Sequence, residues 1–338
     1  MFVIGVDPHK RSHTAAVLDD REQLVGELRV EADRRQRQRL LEFAEPFTPR
    51  TWAIEAASGL GALLAQQLVA VGETVLDVPP ALSARVRLLD SGRNDKSDAH
   101  DARSAAVVAM RHAKLRVVRP ADHAQVLRLL ADRHHQLTRT RTQTINRLHA
   151  LVCELVEGGL PQRLSADRAA KALRAVRPAG PVETERKRIA LDLLVEVRRL
   201  DAQLATSKMR LTENVTASGT TVTEVFGVGP VVAGIICGHV GDICRFPSAG
   251  HFARYNGTAP IEASSGPRVR HRLNPRGNRQ LNHALHIAAL VQISHDSPGR
   301  AYFERKLADG KNKKEAIRSL KRRISDAVFR QLLADARG

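Results

Sequence analysis

Short apolar runs separated by turn residues open the chain. Residues 2–6, 14–18 and 24–30 read as three strands, and Asp19-Asp20 between the last two supplies the polar break of a hairpin. A polar, Arg-rich stretch over 33–44 predicts a helix and 51–54 a fourth strand. Residues 60–71 predict a helix carrying Leu63, Leu64, Gln67 and Leu68 at helical spacing. Residues 74–78 form a fifth strand stopped by Pro79-Pro80, and 81–90 and 98–112 are helical, the second Ala-rich. Three strands in succession, then alternating strands and helices, predict a mixed-sheet α/β domain ending near residue 118.

The pattern then changes. Over 121–157, Leu137, Ile145, Leu148, Val152 and Leu155 form a sparse stripe in a polar background. After a Gly/Pro-containing stretch (158–181), Leu193, Val197, Leu200, Leu204 and Leu211 form a heptad-like seam. Two long polar helices with narrow stripes predict an antiparallel arm or coiled coil, with amphipathic helices packed on a domain as the plainer reading. A second globular unit of short helices and Gly-rich turns begins near 220. The expected boundaries are therefore 1–118, 119–218 and 219–338.

Charge narrows the choice of partner. The 338 residues hold 54 Lys+Arg against 36 Asp+Glu, a net +18. Residues 268–330 alone hold 16 Lys/Arg against 5 Asp/Glu. Such an excess favours a polyanion, and aromatics at 3% argue against base stacking as the main binding mode. Cys153, Cys237 and Cys244 lack paired spacing, which argues against a disulfide framework or zinc ribbon and fits a reducing cytosol. The 14 histidines show no convincing zinc spacing, the pair His283 and His286 included. No apolar run approaches the ~18 residues of a membrane span. The first residues read as a strand rather than a signal peptide. A soluble, cytoplasmic, nucleic-acid-binding protein is expected.

Candidate chemistry lies at strand ends. Asp7 closes the run Ile4-Gly5-Val6-Asp7, and Glu55 closes Trp52-Ala53-Ile54-Glu55. Asp98 and Asp101, three apart, share a helix face. Asp95 lies at or before that helix start, where capping explains it. Carboxylates gathered this way suit a hard divalent cation and phosphodiester chemistry.

In the second unit, residues 225–233 (Val-Phe-Gly-Val-Gly-Pro-Val-Val-Ala) read as the hairpin of a helix-hairpin-helix. Gly227 and Gly229 either approach a phosphate or merely turn the chain between two core helices. Ser264-Ser265-Gly266 forms a turn flanked by Arg268, Arg270 and Arg272, with Arg276 beyond. The basic run holding Lys313, Lys314, Lys321, Arg322 and Arg323 is expected to contact nucleic acid backbone.

Together, Gly5-Val6-Asp7-Pro8-His9-Lys10 with His13, Ala53-Ile54-Glu55, and Lys96-Ser97-Asp98-Ala99-His100-Asp101-Ala102 resemble the RuvC-like domain of DEDD transposases. Phe226-Gly227-Val228-Gly229-Pro230 through Gly277-Asn278 resembles their C-terminal transposase domain. These are insertion-sequence recombinases of prokaryotes, related to the Piv-type DNA invertases. The resemblance implies an RNase H-like (RuvC-like) α/β domain over 1–118, a coiled-coil connection, and a mainly α C-terminal domain carrying a serine nucleophile. It also implies Mg²⁺ or Mn²⁺ on Asp7, Glu55, Asp98 and Asp101. Within the family's Pro-x-x-x-x-Ser-Gly pattern the nucleophile is Ser265, with Ser264 its adjacent rival. A serine–DNA intermediate, donor and target DNA, a guiding bridge RNA, and dimers pairing into tetramers are implied too. A RuvC-like nuclease using water would need the same acids without the serine. One departure is Glu55-Ala56-Ala57-Ser58-Gly59, one residue longer to the glycine than the common form, which implies a different loop after Glu55.

Overall fold

The structure, a computed structural model, describes residues 1–91, 98–161, 163–262, 271–272, 274 and 277–337. The chain forms two compact units, Met1–Ala121 and Asp122–Gly338.

In the first unit the strands are β1 (Phe2–Pro8), β2 (Ser12–Leu18), β3 (Leu24–Glu31), β4 (Arg50–Glu55), β5 (Val75–Val78) and β6 (Arg116–Val117). The helices are α1 (Gln36–Ala44), α2 (Ala62–Val69), α3 (Pro80–Ser91) and α4 (Asp98–Arg111). The sheet order is β3-β2-β1-β4-β5-β6. β2 runs antiparallel to β1, whereas β4 runs parallel to β1 and β5 parallel to β4. This mixed sheet is the expected RNase H-like arrangement. At the β2–β3 turn, the Asp19 carboxylate accepts from the backbone N–H of Arg21 (2.9 Å) and Gln23 (2.8 Å), so the hairpin reading of that acid holds.

Alternation along the strands divides the unit into layers. Ile4, Val6, Trp52 and Ile54 pack with Leu40 of α1 and Leu64, Ala65 and Leu68 of α2. Val3, Leu18, Ala53 and Val78 face the other way, onto Ala105 and Ala106 of α4. Gly5 permits that second layer to come close. A Cβ there would lie 1.9 Å from the Ala102 carbonyl oxygen and 2.7 Å from the Ala106 nitrogen. Only hydrogen at this position lets α4 rest directly on β1.

The second unit is helical apart from a two-stranded ribbon. Its elements are α5 (His123–Cys153), α6 (Ala166–Ala175), α7 (Pro181–Ala217), α8 (Pro230–Val240), α9 (Ala249–Tyr255), β7 (Ile261–Glu262), β8 (His271–Arg272), α10 (Arg279–Ser294), α11 (Pro298–Ala308) and α12 (Lys313–Asp335). At about 1.5 Å per residue, α5 and α7 are roughly 45 and 55 Å long. They run antiparallel: the His123 ring meets the Asn214 carbonyl (2.8 Å) near one end, and Arg186 pairs with Glu154 (2.8 Å) near the other.

Two details depart from the sequence reading. The seam on α7 passes through Ala190, Leu194, Val197, Leu200, Ser207 and Leu211, so Leu194 takes the inward place expected of Leu193. The cause is α6, an Ala-rich helix inside the presumed linker, which packs Ala169, Ala170 and Leu173 against Leu194 and Val197. Ser165 caps α6 by accepting from the Arg168 N–H at 3.3 Å. Each end of the α5–α7 pair thus has its own core: Leu148, Val152, Leu173 and Val197 at one end, and Leu127, Leu211, Ile236, Leu285 and Val328 at the other. Among the described residues no helix is long and apolar enough to cross a membrane.

Candidate active site

The first site grows from β1, β4 and the start of α4. Asp7 has the parity of Val3 and Gly5, and Glu55 that of Ala53, so both acids lie on the α4 side of the sheet. In the parallel register Val6 pairs with Ile54, which sets Asp7 and Glu55 side by side at the strand ends. Ala56 follows at φ +48°, an unfavourable angle for a side chain, and its carbonyl accepts from Gly59 (2.8 Å) and Gly61 (3.2 Å). That tight turn ends β4 at Glu55, in the loop whose length departs from the family pattern. Asp98 and Asp101 occupy the first turn of α4, where the helix dipole favours negative charge.

The carboxylates meet basic side chains to which the sequence reading gave no role. His9 stands between two acids, Nδ1 3.5 Å from Asp7 and Nε2 3.6 Å from Asp98. Arg29 of β3 reaches Asp98 at 3.1 Å and Ser12 Oγ at 3.2 Å. Arg87 of α3 donates to the buried Asp101. The only signal for Arg29 was its place in the strand pattern; its neighbours follow from the Thr14–Arg29 register of β2 and β3. Ligand atoms of Asp7, His9 and Asp98 lie within 4.8 Å of one another. Two carboxylate oxygens and an imidazole nitrogen converge here, a donor set that fits a divalent cation. Glu55 and Asp101 lie on the same side of the sheet but outside that tightest group.

The second unit places the other expected residues unevenly. Ser264, Ser265, Arg268, Arg270 and Arg276 lie outside the described residues, and Arg272 is described only as backbone in β8. The ribbon pairs Ile261 with Arg272 and Glu262 with His271, and so brackets residues 263–270 in the chain. Its base is tied down: Asn278 N–H donates to the Tyr255 carbonyl (2.6 Å) and Asn282 Nδ2 to the Asn256 carbonyl (2.9 Å). Asn256, wholly buried, donates through Nδ2 to Ser325 Oγ at 2.7 Å.

Lys321 departs from expectation. Its Nζ is turned inward and donates to Asn282 Oδ1 at 2.6 Å, and burial with Arg279 nearby pushes its pKa down to about 8. The reason is helix phase: Leu320, Ile324 and Val328 face the core, and position 321 lies beside that face. Lys313, Lys314 and Arg323 stay exposed, Arg323 over the Tyr302 ring at 4.3 Å. Arg322 pairs with Asp326 at 3.2 Å.

Gly227 has φ +85°, and a Cβ on it would come within 2.7 Å of the Ala288 carbonyl. Its glycine is explained by packing on α10. Gly229 caps α8 ahead of Pro230, with open space around its Cα.

Comparison with known proteins agrees in both units. A family described as "Transposase" (DEDD, IS110-type) matches residues 4–156, and one described as "Transposase IS116/IS110/IS902 family" matches residues 219–304. The chain is 27% identical to an insertion element IS116 44.8 kDa protein of Streptomyces clavuligerus, covering 97% of this chain and 94% of that one. It is also 27% identical to an insertion element IS900 42 kDa protein of Mycobacterium paratuberculosis, with the same coverage. Thermus thermophilus RuvC, solved in complex with a Holliday junction substrate, is similar at 18% identity and TM-score 0.28, covering 35% of this chain and 99% of RuvC. With Asp7 and Asp98 converging where β1 meets α4 and transposase families matched in both units, the chain belongs to the DEDD-type insertion-sequence transposases, enzymes that cut and rejoin DNA.

Proposed function

We propose that this transposase breaks and rejoins DNA through a covalent serine–DNA phosphodiester, with Ser265 as nucleophile and Asp7, Glu55, Asp98 and Asp101 as ligands of Mg²⁺ or Mn²⁺. The observation that carries the reading is the meeting of Asp7 and Asp98 at the crossing of β1 and α4. A divalent ion held there would supply charge stabilisation for a reacting phosphodiester. Asp7 and Glu55 are held by the sheet and Asp98 and Asp101 by the helix, so the acids are presented on rigid elements. Arg29 and Arg87 offset their repulsion.

In the serine step a bond forms from Ser265 Oγ to phosphorus while one bridging P–O bond of the DNA strand breaks. The departing oxygen leaves with the electron pair and takes up a proton; the reverse step, with the oxygen of another strand attacking, releases the serine. Arg268, Arg270, Arg272, Arg276, Lys313, Lys314, Arg322 and Arg323 are assigned to the DNA and RNA backbones, and the open N-terminus at Gly229 to a phosphate. A bridge RNA pairing with donor and target DNA would select sequence, with the protein reading backbone and shape. The working unit is a homo-oligomer, a dimer pairing into a tetramer on DNA.

The test combines purified protein, the RNA encoded beside its element, Mg²⁺ and a labelled donor–target DNA pair, and looks for a protein–DNA adduct that survives denaturation. An adduct lost in Ser265→Ala and in Asp7→Asn is expected. Loss in Ser264→Ala alone would move the nucleophile one residue. Nicked DNA without adduct would establish hydrolysis by water instead.

A further inference from the structure

The solvent side of α10 carries a row of basic nitrogen groups that the site above does not use. Arg279, His283 and His286 recur at helical spacing, so they share one face, and Asn282 lies among them. His135 of α5 approaches from one side, its ring centroid 6.2 Å from that of His283 at an interplanar angle of 66°. Lys321 of α12 approaches from the other, fixed by Asn282 Oδ1 at 2.6 Å. Beyond His135 stand His134, bonded to Ser207 Oγ at 3.2 Å, and Lys208 of α7. Among the described residues, no carboxylate forms an ion pair with Arg279, His283, His286, His135 or Lys321. Asp132, one turn before His135, is taken by His239 (3.4 Å) and Arg128 (3.9 Å).

We propose that Arg279, His283, His286 and His135 form a binding groove for the phosphodiester backbone of the nucleic acid on which the enzyme acts, with the inward-turned Lys321 adding positive potential beneath them. The proposal rests on the DNA-processing reading above and adds a site to it. Four groups that carry or can acquire positive charge, drawn from two elements and without a carboxylate partner among the described residues, are what an anion completes. A metal ion is the poorer occupant, because Arg279 and Lys321 would repel it. The place is also apt: Lys321, Asn282 and Asn256 form a hydrogen-bonded chain from the groove to the base of the β7–β8 ribbon. A strand held in the groove would pass the ribbon that brackets residues 263–270.

The groove carries its own signature. Burial, and then the neighbouring basic groups, hold the His283 and His286 imidazoles below their ordinary range, His135 and Lys321 acting on His283, and Lys321 and His283 on His286. A bound phosphate replaces repulsion with attraction and raises these groups, so binding takes up protons. Affinity gained in this way is fully present below the free-protein pKa and is lost as pH rises through the raised value in the complex. Tighter binding at lower pH follows from that sign.

The experiment measures fluorescence anisotropy of a labelled random-sequence DNA duplex, and separately a single-stranded RNA, at fixed ionic strength from about pH 5 to about pH 7, below the range in which Lys321 titrates. Three proteins are compared: wild type, His283→Gln/His286→Gln, and Lys313→Gln/Lys314→Gln. For wild type, affinity is expected to fall about tenfold or more across the range, since one proton taken up is worth a factor of ten per pH unit. The histidine variant is expected to flatten this to under about threefold, whereas the lysine variant weakens binding at every pH and keeps the wild-type slope. Flattening on duplex or on RNA supports the groove and names the strand it holds. A histidine variant with the wild-type slope on both probes overturns it, and His135→Gln, on a different element, is expected to reduce the slope in the same direction. Absence of any binding by wild type would instead sink the DNA-processing reading, and a groove that passes while no serine adduct forms would stand without it.

Discussion

Two residues show how far single positions decide this fold. Gly5 is where β1 and α4 touch, so Gly5→Ala must push the helix off the sheet. Overpacking of this kind costs about 1–3 kcal/mol. It also displaces Asp98 and Asp101 from Asp7, so DNA joining should fall by more than the stability loss explains; a thermal melt beside a joining assay checks this. Glu73 is the second. Its carboxylate accepts from Arg50 Nη2 at 2.5 Å, Arg50 Nε at 3.1 Å and the Trp52 indole at 2.8 Å. Burial opposes its charge, but Arg50 and Trp52 overcome that and hold it below the ordinary 4.5. Because its folded pKa is depressed, its contribution is complete above about pH 4.5 and fades as pH falls through the lower folded value. Glu73→Gln should cost about 1–3 kcal/mol at neutral pH and progressively less at acid pH in urea unfolding. An equal cost at every pH would contradict the assignment.

At the scale of elements, the α5–α7 pair is a rod with an apolar core at each end and a thinner waist where Leu137 and Leu200 are buried outside both cores. The polar contacts near the waist, Arg141 with Asp201 (2.5 Å) and His134 with Ser207 (3.2 Å), are partly exposed and of small energetic worth. The ends are therefore expected to loosen separately. Leu148→Ala removes a fully buried side chain from the core shared with α6 and should cost about 2–5 kcal/mol. Hydrogen exchange should accelerate across 145–197 while α8, α10 and α12 keep their protection. Uniform acceleration over the whole unit would show that the two cores unfold as one.

For the whole molecule, charge is the governing quantity. A net +18 with exposed cations on α12 predicts binding dominated by counterion release. Plots of log affinity against log salt should fall with a slope steeper than about −5 on duplex DNA, each neutralised phosphate contributing about −0.9. A nearly flat salt titration would contradict the role given to the basic C-terminal region. Lys321→Gln should change the slope less than Lys313→Gln, because its ammonium is spent on Asn282.

The strands of the first unit, the long helices and the strand-end acids were legible in the chain itself. They depend on local alternation, helical spacing and the oddity of Asp7 and Glu55 closing apolar runs, all of which are properties of neighbouring residues. The partners of those acids were not legible. His9 meets Asp98 only because Gly5 admits α4 onto β1, Arg29 reaches it only through the β2–β3 register, and Arg87 finds Asp101 only when α3 lies beside α4. Helix α6 escaped because its Gly- and Pro-flanked stretch hid an alanine face that matters only once α7 is there to cover it. The direction of Lys321 and the row formed by His135, His283 and His286 likewise belong to tertiary structure. Sequence records what each residue can do; which charges face one another is set by packing between elements distant along the chain.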